Sequence, residues 1–199
     1  MDTYMSELKL ESRMKKVSEP YMVYALRRVS KAKNENVGLK ELAFKRLCTD
    51  NDIDSTLSIL KEIIGCKEGV WRFYRSVNRR SLKKAFTELQ VELIRNPASL
   101  YVDSIWKSVL SKDVCKAERK FLVDIDTSDF SYIGRVERYV LGKTNILEIS
   151  KTPNGYHIVV EKFDTRELLE KFDKVEIKKD ALFYLYSRNI PGYGVYNEL

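Results

Sequence analysis

The sequence is poor in the residue types whose chemistry is easiest to read: one histidine and three cysteines among 199 residues. Cys48, Cys66 and Cys115 are odd in number, far apart and never in a C-x-x-C pair. That spacing argues against a disulfide framework or a zinc ribbon and leaves buried thiols in a reducing, cytoplasmic compartment as the expectation. No apolar run approaches the ~20 residues of a membrane-spanning helix, and the first residues lack the basic flank and apolar core of a signal peptide, so no membrane contact is expected. Four prolines and eight glycines are too few for a fibrous or low-complexity chain, and no internal repeat is visible.

Hydrophobic residues make up 44% and charged residues 33%, enough to build one core in a domain of ordinary size. Lys and Arg outnumber Asp and Glu by 36 to 29, a formal net charge of +7. A basic surface concentrates phosphate-bearing partners, which makes nucleic acid, DNA or RNA, the first candidate, although many soluble proteins carry such an excess without binding anything.

Residues 1–65 read as a helical N-terminal segment. Ser18, Glu19 and Pro20 resemble a helix start before "YMVYALRRV". Leu39, Leu42, Ala43 and Leu47 fall near helical spacing, and Ser55 is placed to cap "TLSILKEII", which Gly65 would stop. "KAKNENVG" reads as a loop. From residue 66 to 199 the pattern changes. "VWRFYRSVN" alternates as a strand, with Trp71, Phe73 and Val77 on one side and Arg72 and Tyr74 on the other. Helices are expected over "SLKKAFTELQVELI" and "ASLYVDSIWKSVL", then strands over 120–126, 145–150 and 155–161. A helix behind Asp164, Glu167 and the Phe163–Leu168 staple comes next, and a last strand follows. Tyr101, Trp106 and "FYLY" read as core. Strands and packed helices in this order define an α+β class.

Two features carry chemistry. In "FLVDID", alternation puts Asp124 and Asp126 on one face of a strand whose Phe121, Val123 and Ile125 enter the core. Carboxylates ~6.6 Å apart repel unless a cation lies between them. Hard oxygen ligands suit Mg2+ or Mn2+ and leave positions for substrate phosphates. Read structurally, the same pair is two solvated acids at a strand end. In "ISKTPNGYHIVV", His157 sits just inside a strand that follows a Pro-Asn-Gly turn. Asn154 and Gly155 tolerate a left-handed backbone there, and Gly155 lets a phosphate approach closely. His157 can donate to a phosphate oxygen in either protonation state, while a lone strand histidine is also commonly structural. Arg75, Arg79, Arg80, Lys83 and Lys84 cluster at a strand-to-helix junction suited to phosphates. Lys83 and Lys84 are equally the solvated side of an amphipathic helix.

Taken in order, "FLVDID" and "KTPNGYHIVV" resemble the motif series of the archaeo-eukaryotic primase superfamily, the primase-polymerases. The polymerase domains of bacterial end-joining ligases are similar at the second motif, with Thr, Gly and His before a strand, the positions of Thr152, Gly155 and His157 here. "WRFYRSVNRR" resembles an early strand of these proteins that often ends in an asparagine near basic residues, here Asn78 beside Arg79 and Arg80.

The resemblance spans about residues 70–186. It implies a catalytic core with an RRM-like antiparallel sheet beside an αβ unit and an active site between them. In that reading Asp124 and Asp126 hold the metal ions, His157 meets the incoming triphosphate and Lys151 offsets its charge. Asp173, Glu176 and Asp180 are candidates for the family's third acid, with Asp180 favoured. The implied activity is a metal-dependent nucleotidyltransferase, a primase or small primase-polymerase that adds a nucleoside triphosphate to a nucleic-acid 3′-hydroxyl, with a replication protein docking on the N-terminal helices. The alternatives are a metal-dependent nuclease and a non-catalytic nucleic-acid-binding adaptor.

Overall fold

A computed structural model describes residues 19–30 and 34–191. Their regular elements are strands β1 (Tyr21–Arg27), β2 (Leu42–Cys48), β3 (Gly69–Ser76), β4 (Lys120–Ile125), β5 (Ile146–Lys151), β6 (Tyr156–Glu161), β7 (Val175–Lys178) and β8 (Leu182–Ile190). The helices are α1 (Ile53–Ile64), α2 (Leu82–Arg95), α3 (Val102–Leu110), α4 (Phe130–Leu141) and α5 (Arg166–Lys171), with short 3-10 turns at Asp50–Asp52 and Asp113–Cys115. The strands form two four-stranded sheets, ordered β2-β1-β3-β8 and β5-β6-β4-β7, and every neighbouring pair is antiparallel. The class is α+β.

The expected helical N-terminal segment is corrected. "YMVYALR" and "LAFKRLC" are strands β1 and β2 of the first sheet, paired residue for residue from Tyr21–Cys48 to Arg27–Leu42. Val23 and Ala25 enter a core with Leu57, Leu60, Ile64, Trp71 and Phe73 under α1. Met22, one residue before Val23, points to the other face, where Ala85, Val109 and Leu110 of α2 and α3 form a second core. A strand buried on both faces has no polar side to alternate with, so its apolar run satisfies helical spacing as readily as strand spacing. Only α1 survives from the helical reading, ended by Gly65 at φ +55°. The boundary at residue 65 falls between strands of one sheet, since β3 and β8 pair beside β1. The Ser18 start signal lies outside the described residues, and the described N-terminal part offers a sheet rather than a helical bundle to any partner.

The second sheet runs β4-α4-β5-β6-α5-β7 along the chain. This is the β-α-β-β-α-β connectivity of the split βαβ, or ferredoxin-like, unit, with β4 and β6 central. Helix α4 occupies "FSYIGRVERYVL". Asp129 caps it by accepting from the backbone N–H groups of Ser131 and Tyr132, and its Tyr132, Ile133, Val136 and Val140 cover one sheet face. Phe121, Val123, Ile125, Ile158 and Val160 supply that face. The opposite face meets the first sheet. Leu122 of β4 and Val159 of β6 pack on Val77, Ala181 and Phe183. Arg75 is buried at this junction between the Tyr21 and Phe183 rings, 4.6 and 4.9 Å from their centroids, and its guanidinium pairs with Glu148 of β5. None of the helices among the described residues is long and apolar enough to cross a membrane.

Candidate functional site

The side chains of Leu122 and Asp124 share a face of β4, and those of His157 and Val159 share the same face of β6. Leu122 and Val159 seal the junction between the sheets, and one step further along each strand the junction opens into a cleft of about 570 Å³. Asp124, Asp126, His157, Thr152, Asn154, Glu176 and Lys178 line it from the second sheet, while Arg72, Tyr74 and Tyr184 line it from the first.

At the centre is a row across three strands. Asp124 lies directly opposite His157 on β6 and Glu176 on β7. The His157 side chain is 11% exposed, and its Nδ1 accepts from the Tyr184 backbone N–H at 3.1 Å. That bond leaves Nδ1 without a proton and puts the N–H of neutral imidazole on Nε2, which stands 3.4 Å from Asp124 Oδ1. Lys178 Nζ donates to Asp124 Oδ2 at 2.6 Å and lies 3.1 Å from Glu176 Oε2. Burial works to raise the Asp124 carboxyl, but its contacts with His157 and Lys178 outweigh that and bring it down to about 2. Burial likewise opposes the Lys178 ammonium, and Asp124 and Glu176 overcome it, holding its pKa above the ordinary lysine value.

Asp126 is exposed just past β4, where its backbone N–H donates to Lys174 O at 3.0 Å. Its carboxylate has no partner among the described residues. The turn before His157 is held by Thr152, whose Oγ1 accepts from the Gly155 N–H at 3.0 Å and whose own N–H donates to Gly155 O at 2.8 Å. Thr152 and Asn154 thus reach the cleft, while Lys151 is exposed at the end of β5 and does not line it. Gly155 has a different reason from the expected one: neither it nor Asn154 has a positive φ. A Cβ at 155 would fall 1.8 Å from Ile125 O and 2.9 Å from Thr127 N, so the turn is pressed against the end of β4 and only glycine fits. It is backbone, not a phosphate, that approaches this glycine.

The structure separates the remaining candidates from the cleft. Asn78 is fully buried and binds the two sheets together. Its Nδ2 donates to Lys120 O and Lys179 O, each at 3.2 Å, and its Oδ1 accepts from Lys120 N–H at 2.7 Å. Arg79 pairs with Asp50 and sits 5.0 Å from the Tyr21 ring centroid. Arg80 is 3% exposed and grips Asp180 through two bonds of 2.9 and 3.1 Å. Asp180 therefore serves as the counter-ion of a buried guanidinium on the β7–β8 turn. The acid that the sheet register sets beside Asp124 is Glu176. Replacing Asp180 with Ala strands the Arg80 charge and is expected to cost about 3 kcal/mol in chemical denaturation. Tyr101, read as core, is 76% exposed.

Among the described residues no three His, Cys, Asp or Glu side chains form a ready metal cluster. Asp124 and Asp126 fit a different arrangement, a hard cation held by two carboxylates and completed by the oxygens of a phosphate ligand.

The sequence reading missed Lys178, Arg72, Tyr74 and Tyr184 as cleft residues. "VEIK" does carry a signal, since Glu176 and Lys178 alternate with Val175 and Ile177, but placing them beside Asp124 requires the strand register. No protein-family model matches the chain, and neither the curated proteins nor the solved structures give a match.

Proposed function

We propose that the cleft binds a nucleoside triphosphate and that the protein is a metal-dependent nucleotidyltransferase extending a nucleic-acid 3′-hydroxyl, a primase or small primase-polymerase. The observation that carries this reading is the convergence of Asp124, Asp126 and His157 on one cleft between two sheets, with the imidazole Nε2 facing Asp124. Electrostatics favours a cation as part of the substrate. Asp124, Asp126, Asp173 and Glu176 outnumber Arg72, Lys174 and Lys178 along the cleft, four to three, and Arg72 is already paired with Glu35 at 2.6 Å. A polyphosphate entering alone meets net negative charge and is repelled; one carrying Mg2+ or Mn2+ is not. When bound on Asp124 and Asp126, the ion would supply charge stabilisation and activate the attacking hydroxyl.

The chain's own groups have separate tasks. His157 is held by Tyr184 and presents its Nε2–H as a donor to a phosphate oxygen. Lys178 and Lys174 offer cationic donors, and Thr152 and Asn154 border the phosphate path. The overall basic charge favours a nucleic-acid strand as second substrate. The direct test is incubation of purified protein with labelled nucleotides, Mn2+ and primed or unprimed template. Extension products that disappear with Asp126→Ala are expected; an inactive wild type, or equal product from the variant, overturns the reading. Shortening of labelled strands without nucleotide would indicate a nuclease instead. The Lys178–Asp124 pair favours a second reading, a non-catalytic nucleic-acid binder, because the ammonium already neutralises the central acid. In that case Asp126→Ala leaves salt-sensitive nucleic-acid binding intact and no extension is seen with any template.

A further inference from the structure

The central carboxylate has both oxygens engaged, and its two partners differ in how readily they can leave. His157 is buried and fixed by a backbone N–H at 3.1 Å, and its strand is paired on both sides. Lys178 carries its charge on a flexible stem at the edge of the sheet, its side chain is 38% exposed, and it has Glu176 as an alternative partner at 3.1 Å. The ammonium therefore occupies one of the two oxygens through which Asp124 could meet a cation, and of the two partners it is the one able to move.

We propose that Lys178 is a resident counter-ion of the cation site: a divalent ion binds Asp124 by displacing the ammonium, which then turns toward the phosphates of the nucleotide. This rests on the nucleotidyltransferase reading above and assigns that site a device it does not otherwise contain. Without ligand, Asp124 and Glu176 are kept from repelling each other across β4 and β7 by a built-in charge. With ligand, the metal takes over the carboxylate and the lysine pairs with phosphate, so no buried charge is left unpaired in either state. The exchange also disfavours metal bound without phosphate, because the displaced ammonium would then have only Glu176.

The proposal predicts effects of opposite sign from one substitution. Lys178→Met in the full chain should bind Mn2+ about five- to tenfold tighter than wild type, measured from the electron paramagnetic resonance of free Mn2+. The same variant should bind an N-methylanthraniloyl-labelled nucleoside triphosphate severalfold more weakly in saturating Mg2+, where the displaced ammonium would face the phosphates, measured by fluorescence. Lys178→Arg, which keeps the charge, should stay near wild type in both. Lys178→Gln provides the same comparison if the Met variant folds poorly, as judged by thermal denaturation. A merely structural lysine would weaken both ligands together, and that result overturns the proposal. Equal Mn2+ affinity in Lys178→Met and wild type, with binding lost in Asp124→Asn, overturns it while leaving the cation site standing. Absence of Asp124-dependent Mn2+ binding in every variant overturns both this proposal and the metal-dependent reading beneath it.

Discussion

Gly155→Ala is expected to remove most of the protein's stability, about 4 kcal/mol or more in urea or guanidinium denaturation, and to yield little folded material. A single methyl group has this effect because of what it meets. Its carbon would sit 1.8 Å from the Ile125 carbonyl oxygen and 2.9 Å from the Thr127 nitrogen, and both are backbone atoms that no side-chain rotation can move away. Relief requires β6 to separate from the end of β4, which breaks the Ile125–Tyr156 and Asp124–His157 pairs at the centre of the sheet. Overpacking of a tight site typically costs ~1–3 kcal/mol where side chains yield, and a backbone clash with loss of strand pairing lies above that range. Since a domain of this size has only ~5–15 kcal/mol in total, the loss is decisive. Gly134→Ala provides the contrast. This glycine lies within α4, and a Cβ there meets nothing within 4 Å, so alanine is expected to stabilise by up to ~1 kcal/mol. A well-folded Gly155→Ala protein with an unchanged midpoint would show that the turn is not seated as described.

The same turn illustrates how sequence and structure divide the information. That residues 154–155 form a turn, that a strand follows and that His157 lies just inside it are legible from residue types and alternation alone. Why position 155 must be glycine is not legible, since the constraint comes from β4, thirty residues earlier in the chain. Strands β4 and β6 were readable although both of their faces are packed, because their apolar runs are short and end in Asp124 and His157, which fall on one face. Strand β1 was not, because helices cover both of its faces and the burial of Met22, Val23, Ala25 and Leu26 removes the period that separates strand from helix. Basic residues after β3 were equally ambiguous. Arg79 and Arg80 have the composition of a phosphate site, yet Asp50 and Asp180 neutralise them, and pairings between residues 29 and 100 positions apart leave no mark on local sequence. Glu176 shows the converse. Its neighbours in the chain say nothing of metal or phosphate, and it gains its place beside Asp124 only through the β4–β7 register.

Under the proposed nucleotidyltransferase reading, Asp124→Asn is expected to lower nucleotide transfer by about a thousandfold, a loss of ~4 kcal/mol in transition-state stabilisation, which is what removal of one anionic ligand from a catalytic cation site would account for. The substitution keeps the shape of the side chain and removes its charge. It also exchanges one acceptor for a donor in a place where His157 and Lys178 both donate, so one of those two groups loses its partner. The variant has a second signature that does not depend on activity. The folded-state carboxyl lies at about 2, below its ordinary value of 3.8. A depressed carboxyl contributes stability that is fully present above the ordinary value and is lost as pH falls through the folded one. Wild type should therefore lose up to ~2 kcal/mol from this group between about pH 5 and pH 2, and Asp124→Asn should lack that component, so that the two stability curves converge as the solution is acidified. Denaturation midpoints across this range measure it directly. Parallel curves would mean that Asp124 is not held by His157 and Lys178 in the folded protein. Wild-type transfer by the asparagine variant would mean that the central carboxylate is not the group on which the chemistry depends.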